Sequence, residues 1–135
     1  MITEGTFTVS GFAEVPVAAE EQVTTALSVG IATMRKQFVG GVDGRSTTLF
    51  TYAQHPETGA GTYVAMESFE GSLDGRSGGF NFVHSASTHG TDRYDEHVRI
   101  VTSSGSGELA GIVGTGSIVI DDDGTHRVRF DYTLD

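Results

Sequence analysis

The chain has 135 residues, of which 18 are acidic and 8 basic, so its formal net charge is −10. This charge favours solubility and makes nucleic acid and anionic membranes unfavourable partners, because both are polyanions that repel the whole chain. The absence of cysteine excludes a disulfide, a thiolate metal site and a cysteine nucleophile.

The length predicts a single domain over residues 1–135. The 37% hydrophobic content and the 19 glycines favour short strands and turns over helices. The amino terminus, MITEGTFTVSG, lacks the basic-then-apolar pattern of a signal peptide, and no apolar run approaches the ~20 residues of a membrane span. The predicted location is the cytoplasm.

The first predicted strand, residues 5–15, begins with alternating apolar and polar side chains. Phe7 and Val9 share one face of it, because successive side chains of a strand point to opposite sides. Gly11 predicts a β-bulge, after which Phe12 changes sides.

The next segments are less regular. Residues 17–25 could form one helical turn but are too short to predict a regular helix. Residues 26–39 predict one long strand rather than a helix, because Gly30 and several β-branched residues disfavour a helix. Glycine and Asp-Gly pairs predict a turn region over residues 40–44, and residues 46–53 follow as a strand.

The centre of the chain predicts a hairpin of two strands, residues 62–73 and 76–88, joined by a tight Asp-Gly turn. The second strand places Phe80, Phe82 and His84 on one face. A histidine at the end of an aromatic row is a candidate for chemistry.

The last third predicts three more strands, residues 92–101, 113–121 and 125–134, with a short helical turn over residues 108–112. Eight strands joined by short, near-evenly spaced glycine turns favour sequential antiparallel pairing. Closure then removes the exposed sheet edges. The predicted fold is therefore all-β, an eight-stranded antiparallel up-and-down β-barrel. A two-sheet sandwich is the alternative.

One motif occurs twice, as VDGRS at residues 42–46 and LDGRS at residues 73–77. Alternate turns of an up-and-down meander lie at the same end, so both segments and the loop at 102–109 are predicted to share one mouth. Turn chemistry alone also accounts for the motif. The mouth is predicted to carry three charged side chains, Arg45, Arg76 and Glu108.

Four segments spread along the chain resemble a known family: GTFTV, ESFEGSLDGRSGGFNFVH, SGSGELAGIVGTG and FDYTL. It is a bacterial domain-of-unknown-function family whose known folds are allene oxide cyclase-like β-barrels. The resemblance covers nearly the whole chain and implies an eight-stranded antiparallel barrel of the kind shared with plant allene oxide cyclases and dirigent proteins. It implies no activity, and the cyclase chemistry does not transfer, because that enzyme uses a cysteine.

The predicted barrel interior contains two candidate acid–base groups. Glu67 shares a strand face with Tyr63, and His84 follows Phe80 and Phe82 on the adjacent strand. If both faces point inward, Glu67 and His84 meet and could act as general acid and base. A satisfied structural pair is the alternative.

Three further residues are candidates for the site. Lys36 could face inward as a Schiff-base amine or as the counter-ion of Glu67, or it could face water. Glu108 could gate ligand entry or cap backbone amides. Tyr132 lies in an apolar row and is core with a polar tip. The predicted ligand-binding residues are Tyr63, Glu67, Phe80, Phe82, His84, Glu108, Tyr132 and Lys36.

Three functions follow, in this order: a barrel that binds a small lipophilic or aromatic molecule in its lumen, a structural or interaction module that forms a homo-oligomer, and a cyclase- or isomerase-like enzyme that uses Glu67 and His84. No metal site or cofactor is predicted, because the histidine and glycine spacings match neither a metal-binding motif nor a nucleotide fingerprint.

Overall fold

The computed structural model describes all residues from 1 to 135 and contains strands but no helix. Its nine strands are β1 (Ile2–Val15), β2 (Val29–Gly40), β3 (Val42–Gln54), β4 (Gly61–Leu73), β5 (Arg76–Thr88), β6 (Tyr94–Ile100), β7 (Ser106–Gly107), β8 (Ile112–Ile120) and β9 (His126–Leu134).

Eight of these strands form a closed antiparallel ring. Strands β1 to β6 pair in chain order, β6 pairs with β8, β8 with β9, and β9 returns to β1. The two-residue β7 pairs with β5 beyond the point where β6 ends. The ladder between β6 and β8 is short, with Arg99 opposite Thr115 as its one residue pair. The predicted all-β, up-and-down arrangement of eight strands is confirmed.

One end of the ring is filled with apolar side chains. Alternate residues of each strand point inward, and five phenylalanines pack together there: Phe38, Phe69, Phe80, Phe82 and Phe130. The ring centroids of Phe130 lie 5.4 Å from Phe80 and 5.2 Å from Phe82. The remaining fully buried residues of this end are Val42, Leu73, Ile100, Leu109, Ile112, Val128 and Tyr132. This packing leaves no open mouth at this end.

The segment at residues 42–46 is not a turn, contrary to its Asp-Gly signal. The chain turns earlier, and β3 already begins at Val42. Gly44 lies opposite Gly71 on β4, and a β-carbon on Gly44 would collide with the carbonyl oxygen of Glu70. This glycine is therefore required by the close approach of two strands.

The predicted gathering at one end is correct for the turn after β4 and the loop before β8, which lie together with the turn between β2 and β3. The Asp74 backbone N–H donates to the carbonyl of Gly41 at 2.8 Å, and the Glu108 N–H donates to the carbonyl of Ser77 at 2.8 Å. Arg45 does not join them, because it lies on the outer face of β3 and pairs with a carboxylate of β4.

The two predicted helical turns are absent. Residues 17–25 contain neither helix nor strand, and residues 108–111 form a hydrogen-bonded turn before β8. The chain contains no helix with the length and hydrophobicity to span a membrane.

The predicted bulge in β1 is present. Gly11 has a φ of +67°, and the pairing of β1 with β2 shifts register between Ser10 and Ala13. The shift turns Phe12 to the inner side, where its ring centroid lies 6.0 Å from that of Phe50. The bulge thereby brings an aromatic side chain to the end of the ring opposite the filled one.

Candidate functional site

A buried carboxylate lies in the middle of the ring. Glu67 on β4 is 0% exposed. Its Oε1 accepts a hydrogen bond from Lys36 Nζ at 2.8 Å and lies 2.9 Å from His84 Nε2, while its Oε2 accepts from Ser46 Oγ at 2.5 Å. Three donors from three other strands therefore satisfy this carboxylate.

The Glu67 carboxylate is ionised. Burial alone would raise the pKa of Glu67, but the hydrogen bond from His84, the charge and hydrogen bond of Lys36 and the hydrogen bond of Ser46 outweigh burial and lower this pKa to about 2. An ionised carboxylate can only accept hydrogen bonds, so Nε2 of His84 carries the proton.

The imidazole of His84 is neutral at neutral pH. Burial lowers the pKa of His84, and the charges of Lys36 and Arg93 lower it further, against the hydrogen bond to Glu67, which raises it. With the proton on Nε2, Nδ1 of His84 is an acceptor, and the Tyr63 hydroxyl donates to it at 2.9 Å.

The chain of hydrogen bonds continues to β6. Arg93 donates from Nη2 to the Tyr63 oxygen at 2.8 Å and from Nε to Glu96 Oε2 at 2.8 Å. Burial raises the pKa of Tyr63 and outweighs the lowering effect of Arg93, so the phenol keeps its proton. These protonation states fix the direction of every hydrogen bond. Arg93 donates to Tyr63, Tyr63 donates to His84, and His84 donates to Glu67. We call these residues, with Lys36, the polar chain.

A cavity of about 370 Å³ lies against the polar chain. Tyr63 stands near the start of β4 and Ile120 at the end of β8, so the cavity occupies the end of the ring opposite the filled one. Lys36, His84 and Arg93 line one part of it, whereas Glu67 does not reach the wall. The apolar lining residues are Phe7, Val9, Met34, Phe50, Ala65, Ile118 and Ile120.

One hydroxyl at this cavity has no partner. Thr48 on β3 lines the cavity and is 3% exposed. Its Oγ1 is the one buried side-chain polar atom of the chain that makes no hydrogen bond. Buried polar groups are nearly always hydrogen-bonded, so this exception needs an explanation.

Four of the predicted site residues come together as the alternating pattern suggested. Lys36, Tyr63, Glu67 and His84 all point inward and belong to the polar chain. Three roles were considered for Lys36, and in the structure it is the counter-ion of Glu67.

The other four predicted residues lie outside the cavity. Phe80 and Phe82 belong to the filled core, although the ring of Phe82 stacks on that of His84 at 5.5 Å. Glu108 lies at the filled end, where its Oε1 accepts from the Ser77 backbone N–H at 3.2 Å, the capping role. Tyr132 is buried at the same end.

Sequence reasoning missed Ser46, Thr48, Arg93 and Glu96. A signal was present for Ser46 and Thr48, because they share the face of β3 that continues into Phe50. Arg93 precedes β6 and carried no such signal. No group of three or more His, Asp or Glu side chains in the chain is arranged to hold a metal ion.

These features define a class of protein: a closed antiparallel ring with an apolar cavity beside a buried ionic group. Residues 3–132 match the profile of a family described as "Protein of unknown function (DUF3224)". The chain belongs to this family, which confirms that part of the resemblance.

A solved structure supports the same assignment. It is a protein with unknown function from the DUF3224 family of Shewanella oneidensis MR-1, and it is 30% identical to this chain with a TM-score of 0.82. The alignment covers 100% of this chain and 98% of that one. No curated protein matches. The likeness to allene oxide cyclases stays a prediction.

Proposed function

We propose that this protein binds a small lipophilic or aromatic molecule in the interior of its ring. The observation that carries the proposal is the cavity of about 370 Å³ with a mostly apolar wall. Ligand pockets usually have volumes of roughly 300–1,000 Å³, apolar walls and a few fixed polar groups. We also propose that the ring has the allene oxide cyclase-like architecture expected from the sequence. A ligand in the lumen agrees with that architecture.

The polar groups of the cavity are held in place before any ligand arrives. His84 is fixed through both ring nitrogens, and Arg93 is fixed by Tyr63 and Glu96. Side chains that are already ordered lose little conformational entropy on binding, which favours affinity. The filled end of the ring gives the cavity a rigid base.

A matched pair of substitutions tests this proposal. Ile120 lines the cavity, and its neighbour Val119 points away from it, yet their side chains are similarly exposed at 52% and 51%. We expect Ile120→Trp to fill the cavity mouth and Val119→Trp to leave it open. The readout is the fluorescence of the uncharged probe N-phenyl-1-naphthylamine, which rises in an apolar site. Equal probe affinity in both variants would contradict the proposal.

An interaction module that forms a homo-oligomer is a second candidate, favoured by the outer face of the ring. Leu49 lies opposite Met66, and Met66 lies opposite Val83, so these side chains form an apolar band across β3, β4 and β5. Leu49 and Met66 are about half exposed, and exposed apolar patches mark interaction surfaces. Light scattering that finds a monomer at every concentration would remove this candidate.

The cyclase- or isomerase-like enzyme stays a prediction. Glu67 has no exposed oxygen, and both ring nitrogens of His84 are occupied. A proton could therefore reach Glu67 from a substrate only through the other members of the polar chain. The cytoplasmic location also stays a prediction.

A further inference from the structure

We infer that the ligand is an apolar carboxylic acid whose carboxylate is bound by Lys36 and Thr48. This inference rests on the proposed function and adds the chemistry of the ligand's polar end. It follows from three observations: the polarity of the cavity wall, the unused donors of Lys36, and the unpartnered hydroxyl of Thr48.

The polar lining of the cavity offers hydrogen-bond donors and positive charge. Its polar side chains are Lys36, Thr48, Tyr63, His84, Arg93 and His126, and no Asp or Glu lines it. Lys36 and Arg93 are each paired with a carboxylate that lies outside the lining, Glu67 and Glu96. A ligand carboxylate would therefore face N–H donors at this wall, whereas a ligand cation would face no carboxylate acceptor. The chain carries a net charge of −10 and only one lysine, and that lysine stands at this wall.

Lys36 has hydrogen-bonding capacity to spare. An ammonium group has three N–H donors, and the structure uses one of them, toward Glu67 Oε1. Glu67 balances the charge of Lys36 from behind the wall. A carboxylate in the cavity would accept one of the unused N–H groups as a charge-assisted hydrogen bond.

Thr48 stands where the same carboxylate would reach it. In the pairing of β2 with β3, Lys36 lies opposite Ser46, and Thr48 is the next inward residue along β3. Lys36 and Thr48 are therefore diagonal neighbours on the inner face, a spacing that long side chains can span. A carboxylate oxygen would give Thr48 Oγ1 the partner that it lacks.

Three compounds with the same apolar body separate the possible polar ends. They are 2-naphthoate, uncharged 2-naphthylmethanol and cationic 2-naphthylmethylammonium, each titrated into the protein by calorimetry. We expect the acid to bind at least about tenfold more tightly than the alcohol, as one charge-assisted hydrogen bond predicts, and the ammonium compound not to bind. Equal binding of acid and alcohol, or tightest binding of the ammonium compound, overturns the inference.

A second matched pair tests the residue assignment. Thr48→Val removes the unpartnered hydroxyl with little change of shape, and Thr47→Val makes the same change on the exposed outer face. We expect Thr48→Val to fold with an unchanged or higher Tm and to bind 2-naphthoate about tenfold more weakly. Thr47→Val should bind it like the unchanged protein. Equal binding by both variants overturns the role of Thr48.

The outcomes also separate this inference from the proposed function. If the acid and the alcohol bind equally well and Ile120→Trp weakens both, the cavity binds a ligand and only the carboxylate preference is wrong. If none of the three compounds binds, the proposed function and this inference are both contradicted.

Discussion

At the scale of single residues, the buried ion pair of Lys36 and Glu67 organises the interior. Their side chains are 5% and 0% exposed, and removing charges from water is costly unless they are paired and hydrogen-bonded. Here Ser46 and His84 supply the remaining donors to Glu67. Removing either partner would therefore leave the other charge buried without its counter-ion.

Breaking this pair on one side should be strongly destabilising. We expect Lys36→Met to lower the free energy of unfolding by roughly 3–5 kcal/mol, because it leaves a buried carboxylate without its counter-ion. The double variant Lys36→Met with Glu67→Gln should recover most of the loss. Urea unfolding measures each value.

The exposed pair of Arg45 and Glu70 is the control for this experiment. Its side chains are 74% and 65% exposed, and exposed pairs contribute about 0–1 kcal/mol. Arg45→Met should therefore have little effect. A loss for Lys36→Met as small as that for Arg45→Met would show that the buried pair does not stabilise the fold.

At the scale of strands, the close approach of β3 and β4 depends on two glycines. Gly44 and Gly71 face each other with φ values of +147° and +153°. A β-carbon at either position would collide with the backbone of the facing strand. The close approach of β3 and β4 at this point therefore requires glycine at both positions.

We expect Gly44→Ala to lower the free energy of unfolding by more than the roughly 1–3 kcal/mol of backbone strain alone, because a collision is added. Gly75→Ala is the control: Gly75 also has a positive φ, but its added β-carbon would meet nothing within 4 Å. Chemical unfolding compares the two variants. Equal losses would mean that backbone conformation, not the approach of the strands, requires Gly44.

The strand pattern was predictable from the sequence where alternation was clean. The bounds of β5 are as predicted, and the inward faces of β4 and β5 place Glu67 beside His84 as their spacing indicated. The turn predicted at Asp43 and Gly44 was wrong, because a glycine that permits close strand approach looks the same in sequence as a turn glycine.

At the scale of the whole molecule, the two ends of the ring differ. Phenylalanines, leucines and isoleucines fill one end, and the cavity occupies the other. Sequence reasoning placed Glu108 at one mouth of the barrel, where it could gate ligand entry or cap backbone amides. That end is filled, and Glu108 has the capping role. Which end is packed depends on how side chains from eight strands add up, and neither alternation nor turn spacing contains that information. The orphan hydroxyl of Thr48 was beyond prediction for the same reason.

The central claim is that a ligand enters the ring, and methyl NMR during a titration with 2-naphthoate tests it most directly. Ala65 and Ile118 line the cavity, whereas Val64 and Val119 are their neighbours on the outer face. We predict saturable shifts of the Ala65 and Ile118 methyl signals with little change at Val64 and Val119. Shifts confined to the outer methyl groups, or no shifts at all, would contradict the account.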